Sequence, residues 1–181
     1  MSVLIGYRDN SGIWIGTDSL MTNGDLWEDV GPKYRTKNGI TVGFVGYMAY
    51  VDWIMKSGDF PKTPLTASKV GVIGKALIET IKKYRDLSPE LKDDMVYPTF
   101  VISDGKKLFC FSLGAGIQEI KRRKYCVEGS GYEVAAGAIQ AAQTLGENDG
   151  ETIVKTAIKA VIDTVLTCGG KMHVVRCGKC R

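Results

Sequence analysis

Ser2-Val3-Leu4-Ile5-Gly6-Tyr7, followed after Asp9-Asn10-Ser11-Gly12 by Ile13-Trp14-Ile15-Gly16-Thr17-Asp18, is the stretch on which the fold turns. Two short apolar runs separated by a cluster of turn formers predict a β-hairpin, with strands Val3–Tyr7 and Ile13–Asp18. Moving outward, Lys33–Arg35 and Ile40–Val45 predict a second strand pair turning at Lys37-Asn38-Gly39, where Asn-Gly favours a tight reversal. A short helix over Tyr47–Lys56 and a longer one over Ala67–Tyr84 follow. In the longer one Val70, Ile73, Leu77, Ile78 and Ile81 recur at helical spacing.

Asp86–Asp94, polar and containing Pro89, reads as a loop. Thr99–Ser103 and Lys107–Leu113 predict a hairpin around Asp104-Gly105. Gly114-Ala115-Gly116, Ile117–Ile120 and the short strand Tyr125–Val127 continue the sheet region. Two more helices are predicted over Tyr132–Leu145 and Thr152–Val165, and His173–Arg176 closes as a strand. Strand pairs alternating with helix pairs favour antiparallel sheets with grouped helices. Periodicity alone leaves a simpler two-layer α+β fold open.

The 181 residues suit one domain, 1–181, with a full core. A net charge of +4 is too small to imply nucleic acid by itself. No apolar run is long enough to span a membrane, and the first residues lack the pattern of a signal peptide, so the cytoplasm is the expected compartment. The cysteine count is five, an odd number that does not read as a secreted disulfide framework. The chain has one histidine, His173, which excludes any metal site needing two. No cofactor motif is present: Gly129-x-Gly131 lacks the third glycine of a dinucleotide fingerprint, and there is no P-loop.

Four motifs in order give the chain a resemblance running from Ser2 to about Val175. They are Ser2–Gly6 with Ile13–Asp18; Gly31-Pro32-Lys33-Tyr34; Val42-Gly43-Phe44-Val45-Gly46; and Glu128-Gly129-Ser130-Gly131 before an alanine-rich helix. Together they resemble the β-type subunits of the proteasome and its bacterial relatives, in the N-terminal-nucleophile (Ntn) hydrolase family. The resemblance implies an α+β fold, a four-layer αββα sandwich with two antiparallel sheets.

It also implies a peptidase whose nucleophile is Ser2, exposed by removal of Met1. The free α-amine, with a reference pKa of about 7.7–8.0, would serve as base. Lys33 would lower that pKa by like-charge repulsion, and Asp18 would pair with Lys33. The Gly43 amide would bind the oxyanion, with Ser130 beside the nucleophile. Thr22, Gly43 and Val45 would line an edge where an extended peptide adds as a strand. Further implications are self-association into a ring or stacked rings, a peptide or unfolded-protein substrate, and an ATP-dependent unfoldase partner. Neither cofactor, metal, nucleic acid nor membrane is required.

The chain departs from the family pattern in three places. Serine replaces the usual threonine and lacks the methyl that restrains its rotamer, so slower cleavage is expected. The family's aspartate position falls on Val165, with Asp163 close by as the candidate to substitute. Cys168 stands where the family often has serine. Each residue also has a structural reading: Ser130 with Glu133 fits a capping box, Asp18 a turn, Lys33 a solvated charge and Gly43 a close-packing site. The alternative within the same fold is a catalytically inactive ring subunit. A more distant one is a zinc-stabilised nucleic-acid-binding domain using Cys168, His173, Cys177 and Cys180 with the basic run Lys121–Lys124.

Overall fold

The computed structural model describes residues 2–23, 26–46, 52, 55–56, 60–87, 99–112, 115–121 and 125–178. Three ladders organise them. β1 (Val3–Arg8) and β2 (Ile13–Thr17) pair as the expected hairpin, with Leu4 opposite Thr17 and Arg8 opposite Ile13. β10 (Tyr125–Gly129) lies outside β1 and β11 (His173–Arg176) outside β2, giving a four-stranded antiparallel sheet in the order β10-β1-β2-β11. A second sheet runs β5 (Tyr34–Lys37), β6 (Ile40–Val45), β7 (Thr99–Ser103), β8 (Leu108–Ser112) and β9 (Gly116–Glu119), each antiparallel to the next. The third ladder, β3 (Leu20–Asn23) with β4 (Leu26–Asp29), is a small hairpin that the sequence pattern did not reveal.

Side-chain alternation builds four layers from these sheets. On β1, Val3, Ile5 and Tyr7 enter one apolar cluster with Ala135, Ile139, Ile153, Val154, Ala157, Ile158 and Val161. Those partners belong to α2 (Tyr132–Thr144) and α3 (Gly150–Thr164), which cover the four-stranded sheet. Leu4, Ile13 and Ile15 point the other way and meet Val101, Leu108 and Cys110 between the sheets. On β6, Ile40, Val42 and Phe44 turn outward to α1 (Ala67–Leu87), against Val70, Ile73, Leu77 and Ile81. Helix, sheet, sheet and helix are thus separated by three apolar layers, the αββα sandwich.

The sheets approach closely where glycine removes a side chain. A Cβ on Gly43 would lie 2.6 Å from Leu4 Cδ1 and 2.8 Å from Ile15 Cγ2. α3 begins at Asp149, whose carboxylate accepts the Thr152 amide at 2.8 Å. α2 begins differently from the expected capping box. Its N-cap is Gly131, with no side-chain cap, because a Cβ there would lie 2.4 Å from Val161 Cγ1 on α3. Ser130 is displaced one residue outward and leaves the capping role. The expected helix over Tyr47–Lys56 falls mostly outside the described residues. The loop expected from Asp86 starts later, since α1 continues to Leu87 and the rest lies outside them.

Asp104 ties the second sheet to the segment entering α1. Its Oδ2 accepts the buried Leu65 amide at 2.7 Å, and its Oδ1 accepts the Lys106 and Lys107 amides at 3.0 and 2.9 Å. Burial pushes the carboxyl up, but the three amides outweigh it and hold it below the usual carboxylate value. A depressed folded pKa contributes stability above the unfolded value that is lost as pH falls through it. Asp104→Ala is expected to lower unfolding free energy by about 2–3 kcal/mol at pH 7. The deficit should shrink as pH falls below about 4, where the unfolded-state carboxylate protonates, and on down through the lower folded value. Urea melts at pH 7 and pH 3 check this; an equal deficit at both would reject the charged-acceptor account.

Candidate active site

The hairpin of β1 and β2 brings Ser2 and Asp18 to the same end of the four-stranded sheet, because Leu4 pairs with Thr17. Lys33 reaches them from the start of the second sheet. Its backbone is anchored on both sides: its amide donates to Thr17 Oγ1 at 3.2 Å and its carbonyl accepts the Phe44 amide at 3.0 Å. Ahead of it, Gly31 turns with φ 72° and gives its amide to Asp29 at 3.0 Å.

Ser2, Asp18 and Lys33 are 8%, 0% and 3% exposed, so their polar groups must satisfy one another. Lys33 Nζ donates to Asp18 Oδ1 at 2.8 Å, lies 2.7 Å from Ser2 Oγ, and donates to the Leu20 carbonyl. Asp18 Oδ1 also accepts the Val3 amide at 3.1 Å, and Oδ2 accepts the Gly169 amide at 3.2 Å. Burial pushes the Lys33 ammonium below the ordinary lysine value, while the charge and hydrogen bond of Asp18 oppose that shift.

The three partners of Nζ define its chemistry. An ammonium has three donors and fills all three contacts. The neutral amine keeps two N–H donors for Asp18 and Leu20 and turns its lone pair towards Ser2 Oγ. The arrangement can therefore accept the serine proton without rearranging.

Ser130 sits at the other side of Ser2. Its Oγ is 3.4 Å from the Ser2 carbonyl, Cys168 Sγ and Thr167 Oγ1, contacts at the long edge of hydrogen bonding. Burial is the main cause raising the Cys168 thiol pKa, so it stands there as a neutral thiol.

Two expected residues are not brought to the cluster. Asp163 is on the solvent side of α3, where its carboxylate pairs with Lys159 at 2.9 Å, one helical turn back. Val165 caps the helix at the position the aspartate would have held. Gly43 is inside β6 rather than at its end. Because Phe44 gives its amide to Lys33, strand alternation turns the Gly43 amide to the β7 side, opposite Val101. The Gly43 amide is therefore held inside the sheet, and the next glycine of the motif, Gly46, is exposed just beyond the last β6 pair, with φ 109°. Val45 stands beside Ser2: a Cβ on Gly129 would lie 2.2 Å from the Ser2 carbonyl oxygen and 3.3 Å from Val45 Cγ1. Thr22 lies on β3 opposite Trp27.

Sequence reasoning missed the Leu20 carbonyl, the Gly169 amide and the Thr17 hydroxyl. Gly169 had a signal in the Gly169-Gly170 pair, which straps onto the end of β2: its carbonyl accepts the Ser19 and Leu20 amides at 3.3 and 3.1 Å. Among the described residues the zinc set does not assemble: Cys168 is in the layer under α2 and α3, and Cys177 is between the sheets. Cys180 and residues 122–124 of the basic run lie outside the described residues. Among the described residues, no helix is long and apolar enough to cross a membrane.

This architecture defines a fold class, the αββα sandwich seen in solved proteasome-like subunits. BPH of Thiobacillus denitrificans superposes with a TM-score of 0.76 at 18% identity, over 97% of this chain and 98% of that one. The same protein has been solved in complex with epoxomicin, and that structure superposes with a TM-score of 0.70 at 17% identity, over 97% and 98% of the two chains. HslV of Trypanosoma brucei matches with a TM-score of 0.68 at 16% identity, over 96% and 97% of the chains. Anbu of Yersinia bercovieri, an ancestral β-subunit, matches with a TM-score of 0.71 at 15% identity, over 97% of this chain and 81% of that one. At these identities the likeness is one of fold. No protein-family model and no curated protein sequence matches the chain.

Proposed function

We propose that this chain is a proteasome-type peptidase subunit that cleaves peptide bonds with Ser2 once Met1 is removed. The observation that carries the reading is the 2.7 Å contact between Lys33 Nζ and Ser2 Oγ, made by a lysine already paired with buried Asp18. A serine hydroxyl needs a base, and here one lies in hydrogen-bond reach with a third group orienting it.

In the proposed reaction Ser2 Oγ attacks the peptide carbonyl and its proton passes to Lys33 Nζ. The Gly46 amide receives the oxyanion. The leaving amine takes a proton as the tetrahedral species collapses to an ester on Ser2. Water then hydrolyses the ester, with the freed α-amine, of reference pKa about 7.7–8.0, as base. This last step is what removal of Met1 supplies. Substrate would lie extended beside Val45, adding to the strand edge. The reading includes assembly of the subunits into rings, which the fold's likeness to HslV and to an ancestral β-subunit supports, with an ATP-dependent unfoldase as the proposed partner.

The test is intact mass of Met1-free protein before and after epoxomicin, with hydrolysis of a fluorogenic peptide measured alongside. One adduct mapping to Ser2 is expected, absent from Ser2→Ala, with hydrolysis falling by about 10,000-fold or more in that variant. Met1-free, ring-assembled protein that neither labels nor cleaves would replace this reading with an inactive structural subunit.

A further inference from the structure

Cys110 and Cys126 face each other between the two sheets, away from Ser2. Cys110 pairs with Val101 across β7 and β8, and Cys126 pairs with Gly6 across β1 and β10. Gly6 is what lets them meet: a Cβ there would lie 2.6 Å from Val101 Cγ1 and 2.9 Å from Cys126 Sγ. Both thiols join the inter-sheet layer, and each is a free cysteine. Two residues beyond Cys126 on the same face of β10, Glu128 accepts a hydrogen bond from Cys110 Sγ at 3.2 Å. A cavity of about 640 Å³ at the β9 and β10 edges is lined by both cysteines and Glu128, with Lys121 and Tyr125 at its walls. Cys126 is only partly buried, so it is the thiol a small molecule entering this cavity meets first, with Cys110 buried behind it.

We propose that Cys110 and Cys126 are a redox-modification site: a low-molecular-weight disulfide converts them to an inter-sheet disulfide, with Glu128 as proton acceptor. The partly buried Cys126, less enclosed than Cys110, reacts first. Its sulfur bonds to one sulfur of the oxidant, and the other leaves as a thiol carrying the Cys126 proton. Cys110 then gives its proton to Glu128 as its sulfur attacks Cys126 Sγ, and the second oxidant sulfur leaves as a thiolate that takes up this proton from Glu128. Two cysteines are oxidised and one small disulfide is reduced to two thiols. At rest, the Cys126 contact, burial and the Glu128 carboxylate all push the Cys110 thiol up, so it stands there as a neutral thiol. The new bond joins β8 to β10, hence one sheet to the other, and closes a loop in the unfolded chain.

The experiment is incubation of the full chain with glutathione disulfide, followed by intact mass, peptide mapping and thermal melting. Expected are loss of two hydrogens, a Cys110–Cys126 linked peptide, a Tm raised by several degrees, and reversal by dithiothreitol. Cys126→Ser, a near-isosteric change, should fold and show neither link nor shift. Glu128→Gln should accumulate the glutathione adduct on Cys126, with ring closure slowed by about 100-fold. A persistent adduct on wild-type Cys126, or oxidation confined to other cysteines, would overturn the proposal. Closure of Glu128→Gln at the wild-type rate would remove Glu128 from it. None of these readouts depends on peptidase activity.

Discussion

Replacing Lys33 by methionine is expected to lower peptide hydrolysis by about 100- to 10,000-fold, the range for loss of a positioned base. It should also reduce stability by about 3–5 kcal/mol, because Asp18 is fully buried and would lose its counter-charge. The two effects separate in the double variant Lys33→Met with Asp18→Asn. Neutralising the orphaned carboxylate should restore most of the stability and none of the activity. Lys33→Arg keeps the charge but cannot release a proton, so it should also stay inactive. Denaturant melts and initial rates on the assembled protein decide this. A Lys33→Met variant that refolds to wild-type stability yet cleaves normally would sink the mechanism.

The pH profile carries a sign of its own. In the proposed mechanism the reactive lysine is the neutral form, so activity should rise with pH through the lowered Lys33 pKa. Asp18 raises that pKa by its charge and hydrogen bond, in opposition to burial. Asp18→Asn should therefore move the ascending limb to lower pH even as the maximal rate falls. A limb that stays fixed in Asp18→Asn belongs to another group, and the freed α-amine would be the one to test.

The fold was legible because its decisive signals are local. Asp9–Gly12, Asn38-Gly39 and Asp104-Gly105 mark turns between apolar runs, and Val70, Ile73, Leu77 and Ile81 mark a helix face. The β3–β4 hairpin escaped because neither strand shows a clean apolar alternation: Trp27, the largest side chain there, is 61% exposed. Periodicity reports burial, and two four-residue strands in which Leu20 is buried but Trp27 is exposed are too short to show a period.

The candidate site was partly legible for the same reason. Ser2, Asp18 and Lys33 stand at strand ends, where a motif fixes both position and direction. Gly43 was ambiguous because a glycine in an apolar strand fits two roles, and only the register shows that its amide is inside the ladder and that its missing Cβ admits the other sheet. Asp163 failed on helical geometry, since two residues along a helix turn a side chain through more than half a circle. The backbone groups at Leu20 and Gly169 carry no side-chain signature, although they complete the coordination of Lys33 and Asp18.

Gly129→Ala is expected to damage activity more than its small size suggests. Gly129 has φ 95°, in the left-handed region, and a Cβ there would lie 2.2 Å from the Ser2 carbonyl oxygen and 3.0 Å from the Ser2 carbonyl carbon. No flexible side chain can yield, because both atoms are backbone. Either β10 or the start of β1 must move, and Val3 pairs directly with Gly129. Misplacement of the reacting hydroxyl by about 1 Å costs about 100-fold in rate. The backbone conformation and the overlap together should lower stability by about 2–4 kcal/mol. Gly116→Ala is the matched control: φ is 70°, but nothing lies within 4 Å of the added Cβ. It should lose about 1–2 kcal/mol and keep full activity. Rates and urea midpoints measured on the pair separate strain from positioning. If Gly129→Ala keeps the wild-type rate and loses no more stability than Gly116→Ala, then β10 does not hold Ser2 in place, and the hold on the nucleophile rests on Lys33 and Asp18 alone.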